Sequence, residues 1–153
     1  EQLAESARQA LRTLPLPLIQ GRLVQDLQSP DPAIQERAIE LTKLVRAGSA
    51  TDALLAISKK EDNPNRLAAA RALGKTAPAA MLEPMIGLYV QSIGSPLEAP
   101  YKQALWDLAS KQEDYEDTKV LLQTHAAKLK DKTAQQFIQV LGSRLDRLTS
   151  PKS

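Results

Sequence analysis

The sequence contains no cysteine. That excludes disulfides, thiolate nucleophiles and cysteine-ligated zinc, and it leaves the redox compartment undetermined. There is one histidine, one tryptophan and one phenylalanine, and aromatics make up only 3% of the 153 residues. A core built instead from Leu, Ala, Ile and Val suits close helix–helix contact better than a β-sandwich. No apolar run approaches the roughly 20 residues needed to cross a bilayer. No signal-peptide pattern is visible. The net charge of +2 is too mild to imply nucleic acid by itself. No Gly-rich phosphate loop, Gly-x-Ser-x-Gly elbow or nucleophile–base pair is recognisable. No run alternates apolar and polar residues as a half-buried strand would. The chain opens at Glu1 rather than methionine, which reads as a processed chain or an excised piece of a longer one.

What is present is an internal repeat. Asp31-Pro32, Asn63-Pro64 and Ser95-Pro96 are spaced by 32 residues. Each pair joins a residue that can accept a bond from the free amides of a first helical turn to a proline tolerated just inside it. Leu41, Leu73 and Leu105 recur at the same interval, about ten residues past each pair. One helix start and one buried leucine per step predict stacked helical hairpins.

The chain then divides as follows. Residues 2–13 read as a helix with Leu3, Ala7, Ala10 and Leu11 on one side, and 1–14 as a half repeat. Repeats follow at 18–47, 49–77 and 79–111, with an atypical last repeat at 113–148 and a tail at 150–153. Helices are expected at about 18–28, 32–46, 49–57, 64–77, 81–93, 97–110, 114–129 and 132–148, which with the first makes nine. Pro84 should kink its helix or mark its true first turn, and Pro100 should either distort the first turn of its helix or mark where that helix begins. Ser110 to Glu113 fits a capping box, and Thr133 is a candidate cap for the last helix. The last unit departs from the 32-residue step, because its matching leucine is Leu141.

The pattern Asp-Pro…Ile34…Ala38…Leu41, echoed by Asn-Pro…Ala70…Leu73-Gly74, resembles HEAT or HEAT-like (armadillo-type) repeats. The resemblance covers about residues 18–111 and implies an all-α, right-handed α-solenoid. It further implies second helices on the concave side, and a scaffold or binding surface rather than an enzyme. No cofactor or metal is expected.

At about 100° per residue, Ile34, Ala38 and Val45 fall near Leu41 and form the expected buried face. Lys43, Arg46, Arg71 and Lys75 then fall on the exposed faces of two successive second helices. Under the family geometry they line one basic stripe, suited to an acidic protein or peptide partner. Residues 36–75 carry net +3 and residues 76–110 net −2, so the stripe ends where Gln103 and Asp107 take the equivalent places. The plainer alternative is that every helix needs solvated charges on its outer side. Trp106, with Tyr101, reads either as packing against a neighbouring repeat or as an exposed aromatic anchor of the kind favoured at binding hot spots.

His125 lacks companions for a metal site. The acidic cluster Glu113, Asp114, Glu116 and Asp117 stands at a helix start, where negative charge favours the dipole. The leading expectation is a non-enzymatic interaction scaffold. Its rivals are a nucleic-acid-binding or DNA-repair array, for which Asp107 beside Trp106 is the candidate carboxylate, and a structural spacer within a larger assembly protein.

Overall fold

The computed structural model describes residues 16–149, with side chains from 17 to 145. The expected helix at 2–13, the half repeat and the tail lie outside them. Among the described residues the chain is all-helical, with eight α-helices and no strand. They fall into two compact units, one ending at Ala77 and the other beginning at Pro78. In the first unit, α1 (Leu16–Leu27) pairs with α2 (Pro32–Val45), and α3 (Thr51–Lys59) pairs with α4 (Arg66–Thr76). The second helices, α2 and α4, also pack on each other. In the second unit, α5 (Leu82–Ser92) pairs with α6 (Glu98–Ala109), and α7 (Tyr115–Lys128) with α8 (Lys132–Thr149), while α6 touches α8.

The helix starts reveal a register that differs from a uniform 32-residue step. Ser29 Oγ accepts from the Asp31 N–H at 3.2 Å, Asn63 Oδ1 from Asn65 at 2.8 Å, and Ser95 Oγ from Leu97 at 3.2 Å. Proline follows each acceptor, and helix begins three residues after it. The residue that matches Asn63 before α2 is therefore Ser29, and the steps between these acceptors are 34 and then 32 residues. Asp31 is a second cap in series, accepting from the Ala33 N–H at 2.8 Å with Pro32 as first helical residue. Part of the longer first step lies in α2, which has 14 residues against 11 in α4, where Pro78 stops the helix.

Burial follows the same register. Gln35, Ala38, Ile39 and Thr42 face inward on α2; Ala69, Ala72, Leu73 and Thr76 on α4; Tyr101, Ala104, Leu105 and Leu108 on α6. On α8 the sequence continues as Ala134, Ile138 and Leu141. Leu73 and Leu105 are wholly buried as expected, but Leu41 is only half-buried and Ile34 is 39% exposed. The face centred on Leu41 is thus rotated away from the core, and Ile39 occupies the position equivalent to Leu73. Small residues at the contacts, Ala38, Ala69 and Ala72, let backbones approach closely.

Several local expectations resolve. Pro84 and Pro100 each occupy the third position of their helices, where the N–H has no intrahelical partner to lose. Pro84 thus marks a first turn and not a kink, and the helix of Pro100 begins two residues before it, at Glu98. Ser110 does not open a capping box: its Oγ donates to the Trp106 carbonyl at 2.8 Å, and Asp114 caps α7 by accepting from the Asp117 N–H at 3.0 Å. Asp131, not Thr133, caps α8, accepting from Ala134 at 2.7 Å.

A buried amide holds the first unit together. Gln35 donates from Nε2 to the Leu27 carbonyl at 2.9 Å, and its Oε1 accepts from Asn63 at 2.9 Å and Asn65 at 3.2 Å. Asn65 Nδ2 also donates to the Pro32 carbonyl at 2.8 Å. One side chain thereby fixes the end of α1, the start of α2 and the loop before α4. Replacing it with leucine leaves a carbonyl and two amides short of partners, which costs about 1–3 kcal/mol. Urea unfolding of Gln35→Leu is expected to show that loss as a lowered midpoint at unchanged slope.

Arg46 closes α2 in the left-handed conformation (φ 48°, ψ 48°), with its own N–H and that of Ala47 both donating to the Thr42 carbonyl. A β-carbon makes this conformation costly, and glycine is the usual residue there. Arg46→Gly is therefore expected to raise stability by about 0.5–1 kcal/mol, measurable by the same urea titration.

Candidate interaction surface

The structure places the candidate residues unevenly. Arg71 and Lys75 are exposed on α4. Lys43 is half-buried on the flank of α2, and its ammonium is bound to Glu40 at 2.6 Å. Arg46 is exposed beyond the end of α2, its direction set by the left-handed turn. Tyr101 is 2% exposed and occupies the inward position equivalent to Ala69, so it is a core residue and not an exposed anchor. Trp106 is half-buried, and the Arg144 guanidinium lies 5.0 Å from its ring centroid, covering one face.

The corrected register also brings in a residue that the uniform step hid. Arg37 stands 34 residues before Arg71 and, like it, is exposed. Each lies about 150° around its helix from the centre of the inward quartet. Because α2 packs directly on α4, Arg37 and Arg71 are equivalent cations on neighbouring helices. The basic stripe of the first unit is Arg37, Arg71 and Lys75, with Lys43 and Arg46 at its margin. In the second unit the same register positions hold Gln103 and Asp107, joined by a 3.2 Å hydrogen bond, then Gln136 and Val140. Positive charge at this position is confined to the first unit.

Beside the stripe, α2 leaves aliphatic surface in water: Ile34 at 39% and Leu44 at 56% exposure. Its far flank carries Glu36 and Glu40, both exposed, where α4 has the buried pair Ala70 and Gly74. The face is therefore apolar and basic toward α4 and acidic away from it.

The second unit holds its charge differently. Lys102 Nζ binds Glu98 Oε1 at 2.8 Å and lies 5.7 Å and 5.5 Å from the ring centroids of Tyr89 and Phe137, which meet edge-on at 5.0 Å. Glu98 Oε2 accepts from the Gly94 N–H at 2.9 Å, and Gly94 has φ 78°, a conformation that favours glycine. The bond from Lys102, then that from Gly94, hold the Glu98 carboxyl below its ordinary value, and Glu98 raises Lys102 in return. Burial raises the Tyr89 phenol, partly offset by Lys102.

His125 is about a quarter exposed and contacts Glu83 through Nε2 at 3.0 Å. A cleft of about 490 Å³ runs beside them, lined by Leu82, Glu83, Gln112, Asp117 and Leu121 among others. Among the described residues no group of three or more His, Asp or Glu side chains converges as a metal site would. None of the described helices is long and apolar enough to cross a membrane.

The depressed carboxyl gives a pH test. A carboxylate with a lowered folded value stabilises above the ordinary value of 4.5 and loses that contribution as pH falls through the folded value. Glu98→Gln removes the contribution at every pH. The variant is therefore expected to be less stable than the parent at pH 7, and the gap to narrow as the pH drops below about 5. Paired urea titrations at neutral and acidic pH measure it.

No family model, curated protein or solved structure matches this chain.

Proposed function

We propose that the chain is a non-enzymatic interaction module: a short, right-handed α-solenoid of HEAT-like repeats that holds an acidic protein or peptide segment on the exposed face of its second helices. The observation that carries this reading is the pairing of Arg37 and Arg71, equivalent exposed cations on two helices in direct contact. Packed helices lie about 8–10 Å apart. Exposed arginines on helices at that axial spacing can both reach carboxylates along one bound segment, and each can bind a carboxylate through two parallel hydrogen bonds. The excess of positive charge over residues 36–75 adds long-range steering toward an acidic partner. The repeated inward quartet supports the HEAT-like reading of the architecture, since identical burial on successive second helices is what stacked hairpins require.

The test is affinity capture run in parallel with the parent chain and with Arg37→Glu/Arg71→Glu, followed by titration of the captured partner. Both residues are exposed, so helical circular dichroism and thermal midpoint should be unchanged. The double reversal is expected to weaken binding by at least about tenfold at low salt, and the difference to shrink as salt is raised. Identical partners and identical affinity for both proteins would remove the stripe from the function. A gel shift on duplex DNA with a steep salt slope would move the assignment to nucleic acid.

A further inference from the structure

The outward face of α2 carries more than charge. Ile34, Arg37, Leu41 and Leu44 succeed one another at spacings of three, four and three, which places them on one stripe along the helix. Ile34 and Leu44 are exposed at 39% and 56%, and Leu41 is half-buried between them. A single exposed leucine is ordinary surface. Three aliphatic side chains in line, on a helix whose other side already supplies the inward quartet, form a second seam. On α4 the same register positions hold Ala68, half-buried, and the cations Arg71 and Lys75. The strip thus has three aliphatic side chains and Arg37 on α2, and the α4 helix packed against α2 exposes the equivalent cation Arg71.

Resting on the interaction role above, we propose that this strip takes an amphipathic α-helix of a partner protein, with aliphatic residues at i, i+3 and i+7 and carboxylates on the flank that faces α4. The geometry selects the shape of the occupant. Ile34 to Leu44 covers about 15 Å of helix, roughly three turns of a partner laid alongside. An extended acidic peptide would meet Arg37 and Arg71 and leave the aliphatic seam in water. A helix presents both chemistries at once, in the manner of a helix laid in an apolar groove. The charge pattern also sets its orientation. Glu36 and Glu40 repel carboxylates on the far flank, so the acidic side of the partner turns toward Arg71.

The probe is a fluorescein-labelled peptide of about 20 residues with leucines at the seam spacing, glutamates on one flank and glutamines on the other. A control peptide has the same composition in shuffled order. Fluorescence anisotropy is expected to show the patterned peptide binding at least about tenfold more tightly than the control, with its helical circular dichroism rising on binding. Ile34→Gln/Leu44→Gln, both at exposed positions, is expected to weaken it about tenfold without changing the melting of the protein. If the shuffled peptide binds equally, or the aliphatic pair changes nothing while Arg37→Glu/Arg71→Glu abolishes binding, the partner is not a helix and the simpler basic surface stands. If neither pair of substitutions matters, both readings fall. A concentration-dependent dimer that Leu44→Gln dissolves would assign the strip to a second copy of the chain and overturn the proposal.

Discussion

The first unit depends on one buried amide. Gln35 sits at an inward position where the equivalent residues are Ala69 and Tyr101, so nothing about helix packing alone calls for a polar side chain there. Its bonds reach two separate pieces of chain: the Leu27 carbonyl at the end of α1, and the side chains of Asn63 and Asn65 in the loop before α4. Hydrophobic contact is non-directional and tolerates sliding of one hairpin along the next. A hydrogen-bonded amide does not, because a shift that breaks its bonds leaves buried polar groups unpaired. Small residues such as Ala38 and Ala72 make the close approach of α2 and α4 possible, and Gln35 fixes its register. The orientation of Arg37 beside Arg71 follows from that fixed register.

The second unit uses a different device. Where Gln35 bonds to loop amides, the α5–α6 pair relies on Lys102 bound to Glu98 and laid near two rings. The ammonium gains from the ring faces and from the carboxylate at once, and the aliphatic stem covers apolar surface. The cluster draws on two of the few aromatics that the sequence contains, Tyr89 and Phe137. Charge of this kind is spent inside the unit, whereas Arg37 and Arg71 of the first unit face water.

Much of the helical architecture was legible from proline and periodicity. Eight of the expected helices exist within a few residues of their expected bounds, and α2, α4 and α6 among them follow Ser, Asn or Asp before proline, a pairing with one dominant local use. The phase was harder. Asp31-Pro32 and Ser29-Pro30 are both cap-and-proline pairs two residues apart, and only one is equivalent to Asn63-Pro64. Choosing Asp31 produced a uniform step and centred the inward face on Leu41. Two residues of slip rotate a helix by about 160°, so the uniform step sets Lys43 opposite Lys75 and hides the equivalence of Arg37 and Arg71. A signal was available: Arg37-Ala38-Ile39 aligns with Arg71-Ala72-Leu73 only at the longer step. Tyr101 failed for another reason. An aromatic residue at an inward position has the same one-letter pattern as one at a hot spot, and only its phase separates them.

The same phase decides what kind of surface α2 is. At the positions where α4 buries Ala70 and Gly74, α2 carries Glu36 and Glu40 in water. Small residues there permit another helix to approach, and carboxylates there discourage it, since burying them without partners is costly. The two helices have matching inward faces but opposite flanks. A helix whose acidic flank resists packing, while its outward stripe keeps Ile34 and Leu44 exposed, has its apolar surface in one place and its repulsion in another. On the interaction role proposed above, that separation would discriminate between partners: apolar surface alone would accept any hydrophobic segment, and carboxylates on one side with arginines on the other would favour an occupant whose own charge is asymmetric in the complementary sense.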